Sequence, residues 1–282
     1  MSRPQIEAVT AASLPEFAEF LHQHLDSSRS SQEWAAQLRR SWMDQPPNHG
    51  FVLRVDGAIV GGIGAFYAER EIAGQTQRTC NISSWCVLDA YRSQSMRLAM
   101  ALTSQPGFSF SDFSPTKVVA GTLSFLKFKN LADGEWVLPN LPLPAAGRLL
   151  TKPADIETTL SGSALQDYLR HRDFPWLHHV VVGHTGAWCH VIYKRRALKG
   201  MTSAAVLHAS DRALLARHWR RLGWHFLRRG LLLAQLPCWL SPAAPAAPAR
   251  LRSGFNPKQY LSSTILPEQI DMLYSEQMAL DL

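Results

Sequence analysis

The chain has 282 residues, 46% of them hydrophobic and 18% charged, and its 29 Lys and Arg against 22 Asp and Glu give a net charge of +7. This composition excludes a disordered chain and favours a globular protein of two domains, because single domains usually hold about 100 to 200 residues. The positive excess indicates an anionic partner, which leaves open a phosphorylated cofactor, an acidic carrier protein, nucleic acid or a membrane.

The cysteines, the histidine spacing and the hydropathy of the sequence predict where the protein resides and whether it binds a metal. The four cysteines form no CxxC pair, and the histidines at 178, 179, 184 and 190 lack a ligand spacing such as HExxH. We therefore expect a reduced, cytoplasmic protein without a metal centre. The start of the chain has no apolar signal core, and prolines interrupt the long uncharged run 230–249. No secretory signal and no transmembrane helix are predicted.

Apolar periodicity and turn residues predict the elements of the first half. Helix one is expected from Ser13, with Ser13 as N-cap and Glu16 completing a capping box, and helix two from about Gln32. Alternating apolar residues and Asp56-Gly57 predict a hairpin that a further strand continues. The predicted strands are 6–9, 51–55, 58–63, 79–88 and 108–113, and the later helices are 98–103 and 118–128.

The second half predicts a similar order of elements. The Pro- and Leu-rich stretch 131–144 is interpreted as a connector, which divides the chain into domains 1–143 and 144–282. Strands are expected at 177–182, 188–193, 203–207 and 231–236, with one helix at 211–229. A degenerate second copy of the first fold is one interpretation of this order. The Pro/Ala-rich segment 241–249 is predicted to be a linker, and 267–282 a closing helix or strand.

The segment from Val87 to Arg97 carries the functional signal, because a predicted strand ends there, turns through small residues and enters a helix. Unpaired amides and the positive end of the helix dipole make such a helix start an anion site. The segment resembles the cofactor motif of the GNAT (general-control-type N-acetyltransferase) superfamily, in which Val-x-Pro-x-Tyr-Arg precedes a glycine-rich loop that holds the pyrophosphate of coenzyme A. Val87, Tyr91 and Arg92 match that pattern, with Asp89 where proline is common.

The resemblance implies an α/β fold with a mixed, mostly antiparallel central sheet flanked by helices, as one copy or in tandem. It implies acetyl-CoA or another acyl-CoA as cofactor, with an acyl carrier protein as the alternative donor. Ser93, Ser95 and Arg97 replace the small loop residues of the family, and Arg97 would meet a phosphate through its guanidinium. The predicted cofactor-binding residues are Val87, Leu88, Asp89, Arg92, Ser93, Gln94, Ser95, Met96 and Arg97.

The acceptor side departs further from the family. Its strand often carries a glutamate base, but this sequence has Ser83 and Trp85 at that level. We predict Ser83 and Trp85 as catalytic residues and Glu69, from the preceding strand, as the candidate base, with a solvated hairpin charge as the alternative for Glu69. Leu123 occupies the position of the tyrosine that protonates the thiolate in many members.

Two functions are therefore predicted. The first is transfer of an acetyl or other short acyl group from acyl-CoA, or from an acyl carrier protein, to an amine of a small molecule or sugar. The second is a catalytically inactive GNAT-fold protein that binds a ligand or partner. The arginine-rich helix 211–229 is typical of a domain helix and also of a surface for an acidic carrier protein or membrane; we expect no nucleic-acid partner.

Overall fold

A computed structural model describes residues 3–244 and 248–281, so residues 245–247 of the predicted linker lie outside the described residues. The chain forms two compact units. The first runs to Leu131 and takes in Asn256–Ile270 and the residues from Tyr274 onward, and the second is Ala132–Phe255 with Asp271–Leu273. This division differs from a boundary after residue 143, because the closing residues return to the first unit.

The helices and strands follow in chain order. Up to Leu131 they are β1 Gln5–Ala8, α1 Leu14–His24, α2 Ser31–Leu38, β2 Gly50–Val55, β3 Ala58–Ile72, β4 Gln75–Val87, α3 Ser95–Thr103, β5 Ser109–Asp112, α4 Lys117–Phe125 and β6 Lys129–Asn130. The next are β7 Glu135–Pro139, β8 Arg148–Leu150, α5 Pro153–Thr159, α6 Gly162–His171, β9 His178–His184, β10 Ala187–Leu198, β11 Met201–Ala209, α7 Arg212–Arg217, α8 Trp219–Arg228, β12 Leu233–Pro237 and β13 Arg250–Arg252. The closing elements are β14 Gln259–Leu261 and α9 Glu276–Ala279.

The first unit contains a seven-stranded sheet in the order β1-β2-β3-β4-β5-β14-β6. All neighbouring strands are antiparallel except β4 and β5, which are parallel. Residues such as Ile63, Ile82 and Leu98 form its buried core. On β3, Gly62 lies against the ring of Phe17 from α1, so any side chain larger than hydrogen would overlap that ring.

The second unit contains another seven-stranded sheet, in the order β13-β7-β12-β11-β10-β9-β8. Among the described strands of this sheet, β11 and β12 are parallel and the other neighbours are antiparallel. Read from β8, the strands repeat the arrangement of the first sheet, which confirms the predicted α/β fold and its tandem form. The interpretation of 131–144 as a connector is wrong, since β7 pairs with β12 along its length and buries Leu138.

Local signals at two helix starts differ from the prediction. Ser13 makes no capping hydrogen bond to α1, because its hydroxyl bonds to Thr10 instead. The capping box belongs to α2, where Ser30 Oγ accepts from Glu33 N at 3.3 Å and Glu33 Oε2 accepts from Ser30 N at 2.8 Å. The predicted helix 211–229 is two helices, α7 and α8, which meet at His218.

Histidines occupy part of the core of the second unit. His171 and His190 are fully buried, and the His179 Nδ1 to His190 Nε2 distance is 3.0 Å. Burial lowers the pKa of His179 to about 4 and holds that of His190 well below its usual value. Across residues 3–244 and 248–281 no His, Cys, Asp and Glu side chains are grouped to hold a metal ion. No helix in the same ranges has the length and apolarity needed to cross a membrane.

Candidate active site in the first unit

The parallel strands β4 and β5 separate partway along their length. They pair at Thr79–Ser109, Cys80–Phe110 and Asn81–Ser111, after which β5 ends and β4 continues to Val87. A bulge lies in the same stretch of β4, where the register with β3 shifts and Ser84 has φ 50°. Past Asn81 the edge of β4 that faces β5 therefore carries backbone groups outside the ladder, which an extended ligand can pair with.

A cavity of about 280 Å³ occupies the space between the separated strands. Ser83 and Trp85, both predicted as catalytic residues, line it, and the buried indole Nε1 of Trp85 has no hydrogen-bond partner among the described residues. The full lining is Leu25, Asp26, Arg29, Trp34, Ser83, Ser84, Trp85, Asp112, Ser114, Pro115, Thr116, Val119, Glu276 and Leu280.

Two buried carboxyl groups, on Asp112 and Glu276, face this cavity. Asp112 is 5% exposed and Glu276 is 1% exposed. Glu276 Oε1 accepts hydrogen bonds from Phe113 N at 3.2 Å and Ser114 Oγ at 2.8 Å, whereas Oε2 is buried without a partner among the described residues. Burial, and then the charge of Glu276, raise the pKa of Asp112 well above its usual value. Burial also raises the pKa of Glu276.

Burial and mutual repulsion favour protonation within this carboxyl pair, since two buried carboxylates that repel each other cannot both ionise at low cost. A carboxyl group with a raised pKa in a cavity is the type of group that accepts a proton from a substrate.

Glu276 reaches this position because the closing segment is anchored at several points. Its backbone N donates to Asn81 Oδ1 at 2.8 Å, and Asn81 Nδ2 donates to Ser111 O at 3.2 Å. Tyr274, held at φ 60°, packs edge-on against Trp42 with ring centroids 5.5 Å apart. Asn81 thus connects β4, β5 and the closing segment at the point where the strands separate.

Glu69, the predicted base, lies elsewhere. In the register of β3 with β4, Glu69 lies opposite Arg78 near the turn, whereas Gly64 lies opposite Ser83. Five residues along a strand correspond to about 16 Å, and Glu69 is exposed and absent from the cavity lining. Glu69 lies apart from this cavity because β3 and β4 form a long hairpin that carries its turn away from it.

The predicted phosphate loop forms a 3₁₀ helix, Asp89–Gln94, that runs directly into α3. Without the family's glycines, no residue in the described segment 88–97 adopts a positive φ. Arg92 is exposed and pairs with Asp89 at 2.7 Å, whereas Arg97 donates to Pro4 O at 3.0 Å and Gln94 Oε1 at 2.9 Å. No side chain caps the N-terminus of α3, and Ser95 N donates to Arg92 O of the preceding 3₁₀ helix.

The other predicted cofactor-binding residues frame the same corner. Val87 packs over Gly61 of β3, and Leu88 N donates to Val60 O at 3.0 Å. Ser93 is exposed, and Ser95 and Met96 are half-buried in the first turn of α3. The end of β4, the 3₁₀ helix and the start of α3 are therefore contiguous.

Comparison with known proteins identifies this arrangement of strands. No protein-family model matches the sequence, and no curated protein matches it. Solved structures do match. A GCN5-related N-acetyltransferase from Anabaena variabilis has a TM-score of 0.61 at 12% identity, covering 92% of this chain and 72% of its own. The chain has the fold of the GCN5-related N-acetyltransferases, the GNAT fold.

Two further GNAT-fold structures match over most of the chain. A GCN5-related N-acetyltransferase from Kribbella flavida has a TM-score of 0.57 at 13% identity and covers 92% of this chain and 70% of its own. The N-myristoyltransferase of Saccharomyces cerevisiae with bound myristoyl-CoA has a TM-score of 0.51 at 9% identity and covers 97% and 83%. At these identities the matches establish the fold.

The second GNAT-fold unit differs at the position that corresponds to the start of α3. Strands β11 and β12 also separate, after the pair Ala205–Gln235. The helix that follows β11 is capped by Asp211, whose Oδ1 accepts from Leu214 N at 2.8 Å. A carboxylate at that helix start satisfies the amide and repels a phosphate. The first unit is thus the better candidate for an anionic cofactor.

Asp112 and Glu276 were missed by sequence reasoning for different reasons. Asp112 had a signal, because the strand alternates Phe108, Phe110, Asp112 and so places a carboxyl group on its buried face. Glu276 had no such signal, because the residues next to it in the sequence do not indicate that this segment packs against β4.

Proposed function

We propose that the first unit is an N-acyltransferase domain that moves an acetyl or other short acyl group from acyl-CoA to an amine of a small molecule or sugar. The observation that carries this proposal is the cavity between the separated ends of β4 and β5, with the buried carboxyl pair of Asp112 and Glu276 in its lining. An amine, a thioester and a proton acceptor can meet where the strands separate and open the sheet.

Three features of the first unit support binding of the donor. The unpaired edge of β4 from Ile82 to Val87 suits an extended amide-containing arm. The uncapped first turn of α3 and the exposed guanidinium of Arg92 suit a pyrophosphate. When bound, coenzyme A supplies the acyl group as a thioester. Arg97 already bonds within the protein, so we assign it to holding Gln94 and the chain start in place.

The protein's contribution to the reaction is positioning and proton transfer. An amine enters as an ammonium ion, and the unpartnered Oε2 of Glu276 takes its proton. The free amine then forms a C–N bond to the acyl carbon as the C–S bond breaks, and the departing thiolate takes up one proton. The carboxyl pair gives this proton to the departing thiolate, in place of the tyrosine that Leu123 replaces, and then takes up the second proton that the nitrogen loses, which returns to solvent.

The cavity limits the size of both substrates. Its volume of about 280 Å³ is at the lower end of the range for small-molecule sites. It accommodates a short acyl group and the amino end of an acceptor, and it is too small to enclose a long acyl chain as well. An acyl carrier protein remains the alternative donor in this proposal.

The proposal is tested by two measurements. Release of free thiol from acetyl-CoA, or from an acetylated carrier protein, should depend on an added amine across a panel of amino sugars, amino acids and polyamines. Calorimetry should show saturable acetyl-CoA binding that weakens about tenfold in Arg92→Ala, because one charge-assisted contact to phosphate is lost. Arg39→Ala, which replaces an exposed arginine just after the end of α2, is the matched control and should bind normally. Absence of binding to every acyl donor would refute the proposal.

A second candidate function is a catalytically inactive binding protein. Its support is the 3₁₀ helix where a glycine-rich loop would be and the fully buried Leu123 where an acid would be. Saturable acyl-CoA binding without amine-dependent thiol release would favour this function over the first.

A further inference from the structure

The second unit contains a cavity of about 380 Å³ between α8 and the end of β8. Its volume is within the range of small-molecule sites. The cavity is lined by Leu149, Thr151, Arg221, Trp224, His225, Arg228 and Arg229.

One face of α8 provides most of this lining. Arg221, Trp224, His225 and Arg228 follow the spacing i, i+3, i+4, i+7, which places them along one side of a helix. Arg229 follows at the helix end. At these positions the arginines of α8 therefore line a cavity and do not form a uniformly solvated helix face.

The positive charge in the cavity is not balanced by the protein. Of the described residues that line it, none carries a carboxylate, and Arg221, Arg228 and Arg229 form no ion pair with a described residue. The Nε atom of Arg221 is buried and has no hydrogen-bond partner among the described residues. Burial, followed by Arg229 and Arg221, lowers the pKa of His225 to about 4, which agrees with a local excess of cations.

The position of Arg221 lowers the stability of the second unit. Arg221 lies in the first turn of α8, where the helix dipole is positive and an acidic residue is favourable. A partly buried guanidinium nitrogen without a partner adds a desolvation cost. Costs of this kind are typical of binding sites, since a bound anion removes both.

We propose that this cavity binds a small phosphate ester, with Arg221, Arg228 and Arg229 contacting the phosphate oxygens and Trp224 packing against the organic part. A guanidinium presents paired donors that match phosphate geometry, so three of them in one cavity select for a multiply charged oxyanion. The concave shape of the cavity favours a small molecule over a flat polyanion. The site is separate from the acyl-transfer proposal and does not depend on it.

Calorimetry with adenosine monophosphate, inorganic phosphate and adenosine tests this site on the full chain. We expect one saturable site for adenosine monophosphate, weaker binding of phosphate and none of adenosine. Arg221→Gln should weaken binding at least tenfold. Arg220→Gln removes the same charge from the same turn, but Arg220 is exposed and outside the lining, so its affinity should stay within about twofold of wild type.

Further variants and ligands distinguish a lost contact from a folding defect and from general electrostatic attraction. Arg228→Gln, at an exposed position, should also weaken binding and keep the wild-type melting temperature, which separates a lost contact from a folding defect. Equal losses in Arg220→Gln and Arg221→Gln would indicate general electrostatic attraction and overturn the proposal. Absence of saturable phosphate binding, or binding only of nucleic acid or of anionic phosphatidylserine vesicles, would overturn it as well.

Discussion

Replacing Glu276 by glutamine is the most informative perturbation of the candidate active site. The amide oxygen of glutamine can still accept the hydrogen bonds from Phe113 N and Ser114 Oγ. The substitution therefore preserves the shape of the site and removes only the ability to take up a proton. A positioned general base contributes about 10²- to 10⁴-fold, or about 3 to 5 kcal/mol of barrier, so acyl transfer should fall by that factor.

The same substitution changes the dependence on pH. In the wild type the raised pKa values of Asp112 and Glu276 mean that both groups hold protons more tightly folded than unfolded. Stability is then lost as pH rises from about 4 through the raised values. Removing one carboxyl group should flatten this loss and make the first unit more stable at pH 8 than in the wild type. The pH dependence of the residual rate should change as well, because the charge of Glu276 no longer raises the pKa of Asp112.

The assay is thiol release with saturating acetyl-CoA and amine from pH 5 to 9, together with denaturant unfolding at pH 5 and pH 8. Glu268→Gln, at an exposed position in the same closing segment, is the matched control and should keep the wild-type rate. A Glu276→Gln protein with the wild-type rate and pH profile would refute the assignment of this pair as the proton acceptor.

The remaining predictions concern stability. Gly62→Ala should lower the free energy of unfolding by about 1 to 3 kcal/mol, since the added methyl group overlaps the ring of Phe17. The control Gly121→Ala in α4 adds a methyl group that meets nothing within 4 Å, and it should be neutral or stabilising. Equal effects of the two substitutions would contradict the packing described for Gly62. Ser30→Ala should cost about 0.5 to 2 kcal/mol and Ser13→Ala less, because only Ser30 caps its helix; the reverse order would count against the capping box. Burial lowers the pKa of His179 to about 4, so this histidine binds fewer protons in the folded than in the unfolded protein, and the free energy of unfolding should fall by about 3 kcal/mol as the pH is lowered from 6.5 to 4. A His179→Gln protein should show a shallower fall. An identical pH profile would exclude His179 as the cause of the fall.

Much of the first unit could be predicted from the sequence, because its signals are local. The Asp56-Gly57 turn with flanking apolar runs specifies the β2–β3 hairpin. The Val87 to Arg92 segment marks the end of a strand and the approach to a helix. Both depend on residues close together along the chain.

Features that depend on distant partners could not be predicted. Strand β7 follows the first unit in sequence but pairs with β12, about a hundred residues later, and its Pro- and Leu-rich sequence is typical of a connector. Strand β14 lies between β5 and β6 of the first sheet although it follows all the strands of the second sheet along the chain. Glu276 reaches the active site by the same return of the chain, so its role depends on tertiary contacts to Asn81 and Ser114.

The most direct test of the central proposal is a crystal structure of the protein with bound coenzyme A. The pantetheine arm is predicted to pair with β4 between Ile82 and Val87, with the pyrophosphate at the start of α3 and the sulfur directed toward the cavity that holds Glu276. Coenzyme A bound between β11 and β12 of the second unit, or no binding at either pair of strands, would contradict it.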